Sequence, residues 1–407
     1  MGSELAYAIL TPHTVRKGRI GAVLSQLLSR AGLDWVAGGL FQAGPQLVEA
    51  YADSISDPLI ADYVRREFPF PGPSAQGPSD DAVKRHEPRA LLLVFRGGDA
   101  VRKLAAVVGA GLPEAEARGT IRGVFGDHMR RADDGRTQYF EPAVLAAPSA
   151  ELAARQLRLW LDASDTDLMR PVGDPGPDEQ RTLVLLKPDN FRFPSTRPGA
   201  LMGVFSRAGL LLESLKVHHM SLAEAAGFYR EVLPALEDLY RRPERAAAAA
   251  DAAAATFDLT LPPAARDQLG QQAATHLGRA HWENLIAFMT GHRPSEVPAE
   301  RHAEPGSQKI IALAYRGVDA VAKIRATLGP TDPAKAPLGT VRREFGQSMM
   351  INAAHASDSP ANAARELALL GLDRNHLREA LERSPAPPAP ATDPPEPDAA
   401  AHSLASG

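Results

Sequence analysis

The chain repeats itself: three short motifs occur twice, in the same order, once in each half. The first is an apolar run ending in proline, the second is Ser-Arg-Ala-Gly-Leu, and the third is Gly-Thr-x-Arg-x-x-Phe-Gly. The paired motifs occupy residues 6–12 and 182–188, 29–33 and 206–210, and 119–126 and 339–346. Ordered self-similarity of this kind indicates a duplicated structural unit. We therefore expect two copies of one fold rather than a single large core.

Composition predicts where the copies begin and end. A segment rich in Pro, Gly and Asp at residues 172–178 favours turns and separates the two motif sets. The Pro/Ala-rich end has too few large apolar side chains to offset the entropy of ordering. The predicted organisation is a first domain at residues 1–168, a linker at 169–180, a second domain at 181–380 with an insertion near 240–278, and a disordered tail at 381–407.

Each copy also carries an extra segment of its own. Residues 68–88 are rich in Pro and Gly and predict a loop in the first copy. Residues 245–272 are rich in alanine, the residue with the highest helix propensity, and predict additional helix in the second copy.

Charge and composition exclude several classes of protein. The 407 residues carry a formal net charge of −4, which argues against a nucleic-acid-binding surface. They contain no cysteine, which excludes disulfides, thiolate catalysis and cysteine-bound zinc. The sequence shows neither a signal-peptide pattern nor an apolar run long enough to span a membrane. We expect a cytoplasmic protein that binds neither nucleic acid nor membranes.

Strand-like and helix-like segments alternate within each copy. In the second copy the patterns predict strands at residues 183–186, 210–219 and 309–315 and helices at 200–207 and 318–328. Ser221 and Glu224 have the spacing of a capping box, and Ser359 followed by Pro360 predicts the start of a final helix. The fold class expected is α+β, with two tandem ferredoxin-like (βαββαβ) domains whose antiparallel sheets are covered by helices.

Residues 339–360 collect side chains suited to chemistry. His355 offers a nucleophilic imidazole, Asn352 a neutral amide and Arg342 a cation. The following residues, 357–360, open a helix whose free N–H groups favour an anion. Together they suit a phosphoryl group. By contrast, His218 and His219 do not predict a metal site, because adjacent residues on a strand point to opposite faces.

These motifs resemble the nucleoside diphosphate kinase family. In the second copy the resemblance runs from Arg-Thr-Leu-Val-Leu-Leu-Lys-Pro-Asp near residue 181 to Ala-Arg-Glu-Leu-Ala-Leu-Leu near residue 370, and the spacing from Arg325 to Glu366 has no gap. The first copy resembles the family more weakly, over residues 5–160. The resemblance implies a phosphotransferase that uses Mg²⁺ and moves the γ-phosphoryl group of ATP to a nucleoside diphosphate through a phosphohistidine, by ping-pong chemistry.

The resemblance also implies a catalytic group around one histidine. His355 would be the nucleophile, Glu366 would hold its other ring nitrogen, and Ser357 would support that carboxylate. Tyr229 would lie beside this histidine and beside Lys187.

The remaining implied roles concern the nucleotide and its metal. The phosphates would be bound by Lys187, Arg325, Thr331 and Arg342. Asn352 would bind the sugar hydroxyl, and Asp358 would help to hold Mg²⁺ through water.

Two positions depart from the family pattern. Asn190 replaces the glycine of Lys-Pro-Asp-Gly, and Ala-His-Trp at residues 280–282 replaces Pro-Phe-Phe. His281 then takes the place of the aromatic that stacks on the base, while Trp282 suits either the core or base stacking. The departures leave a second interpretation open, a non-catalytic nucleotide-binding protein with a regulatory or scaffold role.

The first copy departs much further. Thr11, Ala105, Gly111, Pro142 and Leu145 stand where the second copy has Lys187, Arg325, Thr331, Asn352 and His355. Only Tyr51 and Arg122 remain. Without a nucleophile we expect this copy to be inactive and to bind triphosphates weakly. Because units of the family associate, the resemblance implies an intramolecular pseudo-dimer or a homo-oligomer.

Overall fold

The computed structural model describes residues 3–70, 88–111, 119–166, 169–170, 175–372 and 374–383. Most of the predicted loop at 68–88, part of the linker and residues 384–407 of the predicted tail lie outside these ranges. No helix within them is both long and apolar enough to cross a membrane.

The first half forms a sheet with the strand order β6-β1-β3-β2-β7 and a separate β4-β5 hairpin. Its strands are β1 (Glu4–Leu10), β2 (Asp34–Ala43), β3 (Ala90–Gly97), β4 (Asp127–Arg131), β5 (Thr137–Glu141), β6 (Val144–Leu145) and β7 (Met169–Arg170). Its helices are α1 (Pro12–Arg16), α2 (Ile20–Arg30), α3 (Pro45–Asp53), α4 (Pro58–Glu67), α5 (Ala100–Val108), α6 (Ile121–Phe125) and α7 (Ala150–Ser164).

The second half forms a sheet with the order β11-β8-β10-β9. Its strands are β8 (Gln180–Leu186), β9 (Leu211–His218), β10 (Ile310–Gly317) and β11 (Ala354–Ala356). Its helices are α8 (Arg197–Ser206), α9 (Leu222–Phe228), α10 (Val232–Arg241), α11 (Pro243–Thr256), α12 (Pro263–Thr290), α13 (Ala320–Leu328), α14 (Val341–Phe345), α15 (Pro360–Leu370) and α16 (Leu377–Arg383). Short 3₁₀ turns occupy Pro188–Asn190, Pro294–Glu296, Ala299–Arg301 and Pro333–Lys335.

Both sheets have the same antiparallel topology. Counting only the four strands that the halves share, each sheet runs fourth, first, third, second, and helices cover it. This is the ferredoxin-like order, so the predicted fold class is confirmed. The strands form because nearly every residue from Ala90 to Phe95, and from Ile310 to Tyr315, is apolar and buried.

Local signals predicted the helix starts well. The Ser221 hydroxyl accepts from the Glu224 N–H while the Glu224 carboxylate accepts from the Ser221 N–H, which completes the predicted capping box. Ser359 caps α15 with Pro360 at its first position, also as predicted. Two boundaries differ in detail: β7 lies within the residues assigned to the linker, and α16 continues into the first residues assigned to the tail.

The predicted insertion in the second half is a helical arm. It begins at Val232, earlier than the alanine-rich segment suggested, and consists of α10, α11 and the first half of α12. Helices α10 and α11 run antiparallel to α12, because a Cβ added to Gly278 would lie 2.9 Å from the Glu237 Cα, and one added to Gly270 would lie 2.5 Å from the Ala246 carbonyl oxygen. These glycines allow a close backbone contact that a larger side chain would block.

The two halves pack through strands β2 and β9 and through helices α2 and α8. One hydrophobic cluster includes residues from both halves. Polar contacts cross the same boundary: Arg89 donates to the Leu212 carbonyl at 2.8 Å, and Lys309 forms an ion pair with Asp34. Helix α16 also connects the two halves, because Arg378 forms an ion pair with Asp165 of the first half at 2.8 Å.

A glycine on α2 tests this packing. A Cβ added to Gly21 would lie 2.5 Å from the Gly199 carbonyl oxygen and 2.6 Å from the Gly203 nitrogen, both backbone atoms of α8. We expect Gly21→Ala to lower the free energy of unfolding by about 1–3 kcal/mol through overpacking, measured by urea denaturation. Gly203→Ala is the matched control, because a Cβ there meets no atom within 4 Å. Equal behaviour of the two variants would contradict the close helix contact.

Candidate active site

The histidine of residues 339–360 lies on the edge strand of the second sheet. His355 on β11 stands opposite Leu185 on β8, and the Lys187 N–H donates to the Ala353 carbonyl at 3.0 Å. Residues directly opposite in an antiparallel pair share one face of the sheet. His355 therefore faces the side on which α9 and α12 pack, close to the end of β8 that carries Lys187.

One ring nitrogen of His355 is held by a buried carboxylate. Nε2 lies 3.3 Å from the Glu366 Oε2. The Ser357 hydroxyl donates to the same oxygen at 2.6 Å and accepts from the Leu183 N–H at 3.3 Å. Since a carboxylate only accepts, Nε2 carries the proton and Nδ1 keeps its lone pair. Nδ1 makes no hydrogen bond with the described residues, and the side chain is 24% exposed.

Two aromatic rings form the wall beside His355. The ring centroids of Phe228 and Tyr229 lie 5.1 and 6.3 Å from that of the imidazole. The Tyr229 hydroxyl is buried and has no hydrogen-bond partner in the described part of the chain. Burial, with the nearby Glu366 charge, raises the pKa of Tyr229, so its hydroxyl remains a donor. Such an unpaired buried hydroxyl usually marks a place for a missing partner.

Lys187 is a buried cation with neutral partners. Its Nζ donates to the Asn352 Oδ1 at 2.8 Å and to the Met350 carbonyl at 3.1 Å, and it lies 5.8 Å from the ring centroid of Phe288. Burial, and then the charge of Arg342, lower the pKa of Lys187 to about 8. A bound anion would reverse this shift by stabilising the charged form.

Arg342 is held by carbonyl groups, which leaves its charge uncompensated. Nη1 donates to the Gly329 carbonyl at 3.0 Å, and Nη2 donates to the Ala354 carbonyl at 3.3 Å. Its Nε is buried without a partner among the described residues. Burial, together with the charge of Arg325, lowers the pKa of Arg342 to about 10. The guanidinium is therefore ready to bind an anion.

Asn352 joins the cations to the loop that carries Thr331. Its Nδ2 donates to the Thr331 carbonyl at 3.2 Å and to the Met349 carbonyl at 2.8 Å. The Thr331 hydroxyl in turn accepts from the Arg342 Nη1 at 3.5 Å. The next residue, Ala353, has a φ of 69°, a left-handed conformation that costs energy outside glycine. This strained turn places Asn352 and His355 on one surface.

Asp358 is the side chain that the resemblance associates with Mg²⁺. It is exposed, and one oxygen accepts from the Asn362 Nδ2 at 2.7 Å. This bond lowers its pKa and keeps it ionised, with Arg325 contributing. The described residues contain no group of three metal-binding side chains. A single ionised carboxylate suits Mg²⁺ that keeps most of its waters and is bound mainly by phosphates.

The structure thus brings most of the predicted residues together. Those joined by direct contacts or facing rings are Lys187, Tyr229, Thr331, Arg342, Asn352, His355, Ser357 and Glu366. Arg325 is linked to the site by electrostatics, since its charge helps to lower the pKa of Arg342 and of Asp358. His281 stands apart: its Nδ1 lies 3.2 Å from the Tyr240 hydroxyl of the arm. Trp282 is buried and donates to the Tyr229 carbonyl at 3.0 Å, a core position.

Asn190 and Phe228 support the site in ways that the sequence patterns do not predict. Asn190 does not need the backbone freedom of glycine, because its φ is negative, and its Nδ2 donates to the carbonyls of Lys187 and Ala353 at 2.9 and 2.7 Å. It therefore fastens the lysine turn to the histidine strand. Phe228 was overlooked, although it directly precedes Tyr229 in the sequence.

The equivalent place in the first half is closed. Leu145 stands opposite Ile9 in the register that His355 has with Leu185, and it is buried. The hydroxyl of Tyr51 lies 3.1 Å from that of Tyr7, and Gln156 accepts from Tyr7 at 2.5 Å. The hydroxyl groups of Tyr7 and Tyr51 therefore both have protein partners.

Arg122 repeats the position of Arg342 but not its availability. It donates to the Gly109 carbonyl at 3.2 Å, as Arg342 does to Gly329. Its Nε, however, donates to the Val144 carbonyl at 3.0 Å, whereas the Nε of Arg342 has no partner in the described ranges. The first half therefore satisfies internally the groups that the second half leaves open.

Residues 264–373 match the family model described as NDK: Nucleoside diphosphate kinase. The nucleoside diphosphate kinase of Sorangium cellulosum (strain So ce56) is 29% identical over 189 residues, covering 46% of this chain and 88% of that protein. That of Chlamydia pneumoniae is 26% identical over 189 residues, with the same coverage.

Among solved structures, the chain is similar to an NDP kinase from Pyrobaculum aerophilum. The sequences are 26% identical, and the match covers 47% of this chain and 94% of the other, with a TM-score of 0.33.

The lowered pKa of Lys187 predicts a pH dependence of anion binding. Lys187 loses its proton as pH rises through about 8, so the affinity for pyrophosphate should fall between about pH 7 and 9, by roughly tenfold if one charged hydrogen bond is lost. Isothermal titration calorimetry measures this. In Lys187→Gln the affinity should be lower and nearly constant over the same range. A pH dependence that survives the substitution would assign the titration to another group.

Proposed function

Because residues 264–373 match the family model of nucleoside diphosphate kinases, we propose that the second half of this chain moves the γ-phosphoryl group of ATP to a nucleoside diphosphate through His355. The proposal rests on polar groups near His355 that have no hydrogen-bond partner in the part of the chain that the structure describes. The Tyr229 hydroxyl and the Arg342 Nε are buried without partners among the described residues, and Glu366 holds the Nε2 of His355, so that its Nδ1 keeps a lone pair. In the first half the counterparts of these groups are replaced or satisfied.

The first half-reaction uses the lone pair of Nδ1. It attacks the γ-phosphorus, the bond from that phosphorus to the β–γ bridging oxygen breaks, and ADP leaves with that electron pair. In the second half-reaction a terminal phosphate oxygen of the nucleoside diphosphate attacks the phosphohistidine, and the N–P bond returns its pair to Nδ1. No base is needed, because the attacking imidazole nitrogen carries no proton.

The Glu366 carboxylate acts at the opposite side of the ring. Its bond to Nε2 fixes the tautomer that leaves Nδ1 free, and its charge stabilises the positive ring that forms as the N–P bond forms. Ser357 keeps the carboxylate in place. Both are positioning residues.

The cations stabilise the charge of the phosphates. Phosphoryl transfer is mainly positioning and electrostatic stabilisation of charge on the equatorial oxygens. Lys187, Arg325 and Arg342 would bind these oxygens together with Thr331, and the Tyr229 hydroxyl is placed to donate to one of them. Asn352 would bind the sugar hydroxyl. Bound Mg²⁺ would neutralise phosphate charge, with Asp358 contributing through water.

Activity is proposed for the second half alone, since Leu145 replaces the nucleophile of the first. The first half would instead serve as an intramolecular partner, covering the edge strand β9 that an isolated second half would expose. The alternative function, nucleotide binding without turnover, differs in one measurable outcome, the formation of a phosphohistidine.

Labelling tests the proposed chemistry. Incubation with γ-labelled ATP should give an acid-labile, base-stable phosphoprotein that transfers its label to added nucleoside diphosphates. His355→Ala should form none. Glu366→Gln should fold but turn over at least about tenfold more slowly, since it loses a charge-assisted hydrogen bond. Nucleotide binding with no label in the unmodified protein would favour the alternative, and label that persists in His355→Ala would reject the assignment of the nucleophile.

Separating the halves tests the role of the first. A fragment of residues 175–383 should have a lower melting temperature than the full chain and lower activity, because β9 and the apolar residues that contact β2 become exposed. Calorimetry and the transfer assay measure both quantities. A fragment as stable and as active as the full chain would show that the first half is not needed as a partner.

A further inference from the structure

We propose that Tyr240, which the inserted arm supplies, is a specificity-determining residue that orients His281 as a platform for the nucleobase. The inference rests on the function proposed above. Tyr240 lies near the end of α10, and its hydroxyl is 3.2 Å from the His281 Nδ1. The two rings meet edge to face, with centroids 6.1 Å apart.

A stripe of side chains connects His281 to the phosphate end of the site. His281, Leu285 and Phe288 recur at the i, i+4 and i+7 positions of α12, and all are half-buried. Trp282, Ile286 and Met289, each one residue later, are buried in the core, and Leu285 and Phe288 pack against that core. The stripe therefore lies at the border of the core, where its side chains remain partly exposed.

Phe288 lies at the phosphate end of this stripe. Its ring centroid lies 5.8 Å from the Nζ of Lys187, the proposed phosphate-binding cation. His281 is seven residues earlier on α12, which is about 10 Å along the helix axis. This separation is comparable with that between the phosphates and the base of an extended nucleotide. A nucleotide bound at Lys187 can thus reach His281 with its base.

The geometry of the arm explains how Tyr240 meets His281. Helix α10 is antiparallel to α12, and Gly278 allows the backbone of Glu237 to approach closely. Side chains on a helix lean toward its N-terminus. Tyr240 therefore leans back toward Glu237, and His281 leans back toward Gly278, so the two rings converge. The described residues of the first half have no such arm between Tyr51 and α4.

The hydrogen bond has a consequence for recognition. A phenylalanine at position 281 would offer only a ring face, whereas an imidazole can rotate and has two polar edges. Pairing Nδ1 with Tyr240 restricts that rotation and directs Nε2 away from the arm. The base then meets an oriented ring with one defined polar edge, which can discriminate among bases as well as stack.

Steady-state kinetics with and without a base tests the proposal. Tyr240→Phe should raise the KM for nucleoside diphosphates about fivefold, the effect of one neutral hydrogen bond, and unevenly among the bases. The kcat, and the KM for ribose 5-diphosphate, which has no base, should not change. His281→Ala should raise the KM for base-bearing acceptors roughly 5- to 100-fold through lost stacking, again without affecting the base-free acceptor.

A control variant separates this role from simple support of the arm. Asp251 pairs with Arg266 at 2.5 Å between α11 and α12, away from His281. Asp251→Asn should loosen the arm without changing the KM ratio of base-bearing to base-free acceptors. If Tyr240→Phe changes that ratio no more than Asp251→Asn does, or raises both KM values equally, the proposal is overturned.

Failure of the proposed function can be recognised separately. If the unmodified protein forms no phosphohistidine, calorimetric titration with ADP and with ribose 5-diphosphate replaces the kinetics. A preference for ADP that Tyr240→Phe reduces supports the platform even then. A preference that the variant leaves intact, or no preference in the unmodified protein, rejects it.

Discussion

The antiparallel pairing of β11 with β8 is the constraint on which the site depends. It sets His355 opposite Leu185 and brings the end of β8, with Lys187, beside the strained turn at Ala353. A shift of one residue would move the imidazole to the other face of the sheet. Asn190 reinforces this register by bonding carbonyls from both segments. Glu366 can hold Nε2 only because β11 presents the ring on the face that α15 covers.

The same pairing in the first half shows what the scaffold does not require. Leu145 occupies the register of His355, and Arg122 contacts a carbonyl equivalent to that of Arg342. The two halves differ in whether the buried polar groups at this place have hydrogen-bond partners. Tyr7 bonds both Tyr51 and Gln156, while the second half leaves a tyrosine hydroxyl and a guanidinium Nε unpaired within the described ranges. Unpaired buried groups destabilise a fold unless something binds them. The Tyr229 hydroxyl and the Arg342 Nε are two such groups, and their nearness to His355 supports the proposed site.

Much of this could be predicted because the signals are local or repeated. Ser221 with Glu224, and Ser359 with Pro360, define helix starts through contacts within one turn, so short motifs suffice. The fold class followed from the alternation of elements and the internal repeat. The role of Asn190 could not be predicted, because the two carbonyl groups that accept its hydrogen bonds, those of Lys187 and Ala353, belong to different segments of a strand pair. The contact between Tyr240 and His281 joins residues 41 apart through an insertion with no motif.

The sequence by itself determined that the chain contains two copies of one fold, that only the second keeps a histidine with its arginine and asparagine, and that this histidine is the candidate nucleophile. Order and spacing along the chain are enough for such statements, because each motif carries its own chemistry. Only the tertiary structure decided which groups are satisfied and which remain open. It also decided that β2 and β9 meet at the boundary of the halves, and that the arm reaches His281. These depend on contacts between distant segments, whose geometry is set by packing rather than by residue type.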